Sequence, residues 1–178
     1  MPDSNIFLFA VIILLAIGFG FTNGMNDAAN ATATAIGTRA LTPRAAVTIA
    51  ALFNFAGAAT GLEVARTIGK GILVPESVTF TTMIAALAAV ITWTAFATYR
   101  GLPVSLTHGF VVAMASAGVA SVGLDGVQWN VMTRVMSAVV TAPLLGFVGG
   151  FAAMIVLYWL LRRAAPDKLQ AFFSKAQI

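Results

Sequence analysis

The chain has 178 residues, of which 60% are hydrophobic and 9% charged, with a mean hydropathy of +0.94 and a formal charge of +4. A soluble domain carries roughly 25% charged residues, so the composition excludes a soluble globular protein and describes an integral membrane protein held in a lipid bilayer. The absence of cysteine removes disulfide frameworks, thiolate metal sites and thiol chemistry. The apolar runs are long and lack period-two alternation, so the expected class is all-α rather than a barrel. The cations flank apolar stretches, which marks them as topology determinants and leaves no nucleic-acid surface. Asp3 and the lack of a basic stretch near the N-terminus argue against a cleaved signal peptide.

A bilayer core of roughly 30 Å needs about 20 apolar residues per helix. The first apolar segment, residues 5–38, is too long for one straight span. Gly18, Gly20 and Gly24 lead into Asn23-Gly24-Met25-Asn26-Asp27-Ala28-Ala29-Asn30, so the sequence predicts a helix broken near Asn23. Unwound backbone at membrane depth is tolerated only against protein or a water-filled cavity, and the break and the polar cluster would explain each other. A second span covers residues 45–62, opened by Thr42 as a cap and Pro43 as the first helical residue. Residues 63–76 hold Arg66, Gly69, Lys70, Gly71 and Pro75 and read as a loop or interfacial turn. A third span covers residues 77–99. The uncharged stretch 101–124, with Pro103, Ser105, Thr107 and the single histidine, His108, is either another span or a re-entrant helical hairpin. A last run, 135–161, contains Pro143 and closes on Trp159, Arg162 and Arg163. Trp93, Trp129 and Trp159 read as interface anchors. About five transmembrane helices therefore form a single domain over residues 1–163, followed by a short cytoplasmic tail, 164–178.

Positive charge sets the orientation. With five spans, Arg39, Arg44, Arg100, Arg162, Arg163, Lys168 and Lys175 fall on one side, and Arg66, Lys70 and Arg134 on the other. That bias puts the N-terminus outside and the C-terminus in the cytoplasm of a cell (inner) membrane. If 101–124 re-enters, residues 126–142 must cross, Arg134 falls in mid-membrane, and the two ends keep their sides. An odd number of crossings means that a duplicated copy would emerge upside down. The chain contains no internal repeat, so it reads as one repeat of an inverted-repeat transporter.

Two clusters carry chemistry. A carboxylate at membrane depth costs at least about 2.5–3.5 kcal/mol on insertion scales and usually lines a pathway or site, which singles out Asp27. Asn26, Asp27 and Asn30 supply oxygens suited to Na⁺, while the amides can donate to phosphate oxygens. A lone Asp repels an anion unless a cation or proton lies between them, which argues for coupled transport. Helix packing alone would not require the carboxylate. The second cluster is Gly101-Leu102-Pro103-Val104-Ser105-Leu106-Thr107-His108-Gly109. Its proline and hydroxyls suit a helix N-terminus able to cradle an oxyanion, and His108 could relay protons or donate a hydrogen bond. No phosphate-binding loop lysine and no nucleophile–histidine–acid set is present, so an enzyme is not expected and no cofactor is implied.

With both clusters in place, the chain resembles the inorganic phosphate transporter (PiT) family, over residues 6–163 and matching that family's N-terminal half. Asn23 to Asn30, continuing as Ala31-Thr32-Ala33-Thr34, is similar to the family's first signature, of G-x-N-D-x-A-N type. Phe53-Asn54-Phe55-Ala56-Gly57 and Gly101 to His108 fall where comparable segments occur. The resemblance implies symport of phosphate with Na⁺ or H⁺, and a site built from a broken first helix and a hairpin. Carried over, Asp27, Asn30, Ser105, Thr107 and His108 would bind phosphate. Asn26, Asp27, Asn30 and Thr107 would hold the coupling ion, with Na⁺ at Asn26, Asp27 and Asn30. The family precedent also favours re-entry of 101–124.

The chain departs from the family pattern in having one half where full-length members have two inverted halves. A split transporter with a separate second half, a fragment and a dual-topology homodimer each account for this. The charge bias counts against dual topology and favours a separate partner. Gly109 and Val112 are smaller departures from the second signature. Symport of sulfate, arsenate or molybdate, and a non-transporting subunit that binds phosphate or stabilises another permease, are the competing expectations.

Overall fold

In lipid the backbone amides must pair within their own segment, and five α-helices form among the described residues. They are α1 (Ile6–Gly37), α2 (Pro43–Thr60), α3 (Phe80–Tyr99), α4 (Leu106–Val122) and α5 (Trp129–Leu161). The computed structural model describes residues 6–61, 71–102 and 104–163. By length and composition α1, α3 and α5 can each cross a membrane. Two compact units result, one of Met1–Asn30 with Asn54–Met132, the other of Ala31–Phe53 with Thr133–Ile178.

In the first unit, α3 and α4 pack against each other as a helical hairpin. Thr79 starts α3 by accepting a hydrogen bond from the Thr82 amide at 3.1 Å. The helix stops where Gly101 takes φ +66, a left-handed conformation that suits glycine. There the Gly101 amide donates to the Thr98 carbonyl at 3.0 Å and the Leu102 amide to that of Ala97 at 2.9 Å, a paired arrangement that closes a helix end. Ser105 then opens α4 by accepting from the His108 amide at 3.4 Å. Between the arms Ala86, Leu87, Val90, Thr94 and Ala97 are buried, as are Leu106, Val111 and Met114.

The two feet of the hairpin are tied together. Short 3-10 turns precede α3 (Pro75–Ser77) and follow α4 (Leu124–Gly126). Leu73 pairs with Val127 as an isolated antiparallel bridge. The Gln128 amide donates to the Ile72 carbonyl at 2.9 Å and the Val74 amide to that of Gly126 at 3.1 Å, while Gln128 Nε2 reaches the Leu73 carbonyl at 3.0 Å. Glycine is needed here for close approach. A Cβ at Gly118 would collide with the Leu73 side chain, and one at Gly126 would lie 2.8 Å from both the Gly118 carbonyl oxygen and Ser77 Oγ.

In the second unit, α1 ends with Arg39 at φ 59 and with the Ala40 and Leu41 amides both donating to the Ala35 carbonyl. Thr42 Oγ1 accepts from the Ala45 amide at 3.3 Å, so the expected Thr42-Pro43 start of α2 is present. The hydroxyls of Ser137 and Thr141 bond back to carbonyls of their own helix, α5.

Three expectations change. The first helix is not broken at Asn23: α1 continues through the polar cluster as 32 residues of α-helix. A glycine costs a helix only about 1 kcal/mol, whereas freeing backbone groups in lipid costs several kcal/mol each. Spaced glycines therefore do not unwind it. Residues 101–124 are not a hairpin by themselves: their helix, α4, packs against α3, which keeps the length and composition of the span expected over 77–99. The last helix begins at Trp129 rather than residue 135, and Arg134 lies near its start. The loop expected at 63–76 and the tail fall largely outside the described residues.

Candidate functional site

The apolar side of α1 rests on the hairpin. The Phe19 and Phe110 rings lie 5.2 Å apart, and Gly18 faces Ile91 with room for ordinary contact. Further along, Asn26 Nδ2 donates to the Val104 carbonyl at 2.9 Å. That bond joins the two clusters picked out in the sequence, across 78 residues of chain. It also explains the continuity of α1, because the polar cluster finds its partner in the hairpin tip and not in its own unwound backbone. With the amide nitrogen engaged, Asn26 presents Oδ1 as its remaining acceptor.

At about 100° per residue, Asn23, Asp27 and Asn30 lie about 40–100° round α1 from Asn26. They form a polar strip alongside the face that carries the tip. Asp27 and Asn30 are exposed, and Asn23 and Asn26 half-buried. The strip offers carboxylate and amide oxygens, a donor set for a hard cation such as Na⁺. Among the described residues no group of three His, Asp or Glu side chains is placed to hold a metal ion.

The hairpin side divides in two. Ser105 and His108 line a hollow of about 520 Å³ with Val104, Gly109 and Val112 of the tip and α4, and Ala89 and Trp93 of α3. Thr107 lies about 200° round α4 from Ser105, on the side of Phe110, whose ring meets α1. Ser105 and His108 face the hollow, and Thr107 belongs to the side of α4 nearer α1. All three are exposed. Pro103 lies outside the described residues.

Sequence reasoning passed over two residues on one face of α3 and its C-terminal end, the first of which lines this hollow. Trp93, read as an interface anchor, is part of its wall. Arg100, read as a flanking cation, sits at the hairpin tip with its guanidinium carbon 5.0 Å from the centre of the Phe96 ring. The signal was present in the spacing of Trp93, Phe96 and Arg100, which share one face of a helix at intervals of three and four.

The model of the phosphate transporter family matches residues 23–176. The chain belongs to that family. Among phosphate transporter relatives, one from Streptomyces halstedii, named "Probable low-affinity inorganic phosphate transporter", is 40% identical over 99% of this chain and 83% of its own length. Proteins of the same name from Rhizobium meliloti and Bacillus subtilis are 37% and 34% identical, over 93% and 99% of this chain and 50% and 54% of theirs. A solved structure titled "The sodium-dependent phosphate transporter" matches 92% of this chain and 42% of its own, at 34% identity and a TM-score of 0.86. The chain thus spans about half or less of several relatives it matches. The proteins it resembles are named as transporters, not enzymes.

Proposed function

We propose that this chain is one half of a cation-coupled symporter for inorganic phosphate in the cell membrane. The observation that carries the reading is the Asn26–Val104 bond, which brings the oxygen-bearing strip of α1 beside the N-terminus of α4. Asn26, Asp27 and Asn30 then take the coupling cation, with Thr107 on the side of α4 nearer them. Asp27 and Asn30, with Ser105, Thr107 and His108, contact phosphate. Phosphate and the Asp27 carboxylate repel each other in a low dielectric, so the cation between them makes binding of each favour the other. Na⁺ is the preferred coupling ion, supported by the donor set and by the sodium-dependent protein that the chain resembles. A second, inverted half completes the site, as a separate chain or a second copy. Counting α1, α2 and α5 as crossings and α3–α4 as a re-entrant hairpin keeps the count odd, with the N-terminus outside and the C-terminus cytoplasmic.

The test is uptake of radiolabelled phosphate into proteoliposomes containing this chain, alone and with an inverted second half, under Na⁺ or pH gradients. Gradient-driven uptake is expected, and competition by sulfate, arsenate and molybdate tests the alternative oxyanions. Asp27→Asn is expected to abolish it while the protein still inserts. Unchanged uptake in that variant would remove the carboxylate from coupling, whereas no uptake by the native chain, alone or with the second half, would leave it as a binding or stabilising subunit.

A further inference from the structure

Arg100 is the single Lys or Arg among the described residues of the first unit, and its position does not suit a topology anchor. The hairpin tip is tied through Val104 to Asn26, 20 residues into a helix of 32. With an apolar layer of about 30 Å centred on α1, which is about 48 Å long, Asn26 lies about 6 Å from the mid-plane. A cation beside that level is costly unless it serves a site or pathway. Among the described residues no carboxylate pairs with it. Its guanidinium instead folds back over Phe96, and the Phe96 ring lies 6.1 Å from that of Trp93.

That aromatic ledge leads into the hollow. Phe96 and Trp93, with Ala88, Ala89 and Thr92, line one concavity of about 540 Å³. Ala89 and Trp93 are shared with the hollow that holds Ser105 and His108. A guanidinium held over an aromatic ring leaves N–H groups available, and those groups fit two oxygens of a tetrahedral oxyanion at once. The hollow itself has a hydroxyl and an imidazole but no cation of its own.

We propose that Arg100, seated on Phe96, is the recruiting residue for the anionic substrate: it takes phosphate at the hairpin tip and delivers it to Ser105 and His108. This rests on the phosphate reading above. Arg100 sets how readily the anion is captured, while Asp27 and the cation set coupling. A long-range charge contribution makes capture sensitive to ionic strength.

The experiment measures equilibrium binding of radiolabelled phosphate to the full chain in lipid nanodiscs, at low and high salt. It compares the native protein with Arg100→Gln, Arg100→Lys and Arg162→Gln, the last removing the same charge from the C-terminal end of α5. Size-exclusion profiles and melting temperatures check that each variant is folded. Arg100→Gln is expected to weaken binding about tenfold and to flatten its salt dependence. Arg100→Lys should restore most of the salt dependence and part of the affinity, and Arg162→Gln should match the native protein. Binding by Arg100→Gln within twofold of native, in a folded protein, overturns the proposal and leaves the phosphate reading standing. A native chain that binds no phosphate, either alone or with its second half, defeats that underlying reading instead.

Discussion

Replacing Asn26 by alanine removes a side-chain donor that reaches the hairpin tip from α1. The bond is 2.9 Å long and half-buried, and the Val104 carbonyl loses its partner when the amide goes. Interhelical side-chain hydrogen bonds in membrane proteins average about 0.6 kcal/mol and reach about 1.7. A carbonyl left unsatisfied adds a desolvation penalty, so the combined loss is about 1–2 kcal/mol. That corresponds to a roughly 5–30-fold shift in the equilibrium between docked and undocked tip. The Phe19–Phe110 contact and the bonded feet of the hairpin stay in place, so the effect should be confined to the tip. Hydrogen–deuterium exchange on nanodisc-embedded protein reads this directly. Peptides covering residues 104–110 should exchange about 5–30-fold faster in Asn26→Ala, while those covering 124–132 stay unchanged. Asn26→Asp should behave at least as badly, because a carboxylate cannot donate to the carbonyl and repels it. Exchange at the tip within twofold of native would refute the view that this bond holds the two clusters together.

Gly118→Ala places a methyl group against Leu73 and the Gly126 carbonyl, and overpacking of this kind costs about 1–3 kcal/mol; a melting temperature equal to the native one would contradict it. Thr94 buries a hydroxyl that has no hydrogen-bond partner, so Thr94→Val should leave stability unchanged or raise it by about 1 kcal/mol. A clear loss of stability on chemical denaturation would show that the hydroxyl is paired after all. Arg39 holds a left-handed backbone at the end of α1, and Arg39→Gly should stabilise by about 1 kcal/mol by relieving it, seen as a higher midpoint in thermal unfolding.

The helices were legible wherever apolar length decided the matter. The start of α2 at Thr42-Pro43 and the closure of α3 at Gly101 follow from residue types with one strong local preference. The two polar clusters were also readable, Asp27 because an apolar helix gives a carboxylate no other purpose, but the bond from Asn26 to the Val104 carbonyl was not. The continuity of α1 was not, because whether a glycine breaks a helix depends on the medium around it. Nor was the pairing of α3 with α4: two apolar stretches in succession do not say which helix each packs against, and the bonded feet at Leu73 and Val127 show it. The seat of Arg100 over Phe96 was visible in the sequence only as a spacing of four, and becomes a contact in the folded chain. The separate directions of Thr107 and Ser105 follow from helical angle, and become visible only once α4 is known to start at Leu106.

The firmly bonded feet and lightly held tip also give the hairpin a mechanical character. Its arms are about 25–30 Å long, with several backbone bonds at the feet and the Asn26 amide bonded to the tip. A tilt of about 10° at the feet therefore carries the tip about 5 Å, farther than the Asn26–Val104 bond can stretch. Any rearrangement at Leu73 and Val127 would therefore act through the whole length of the arms on the bond beside Asp27.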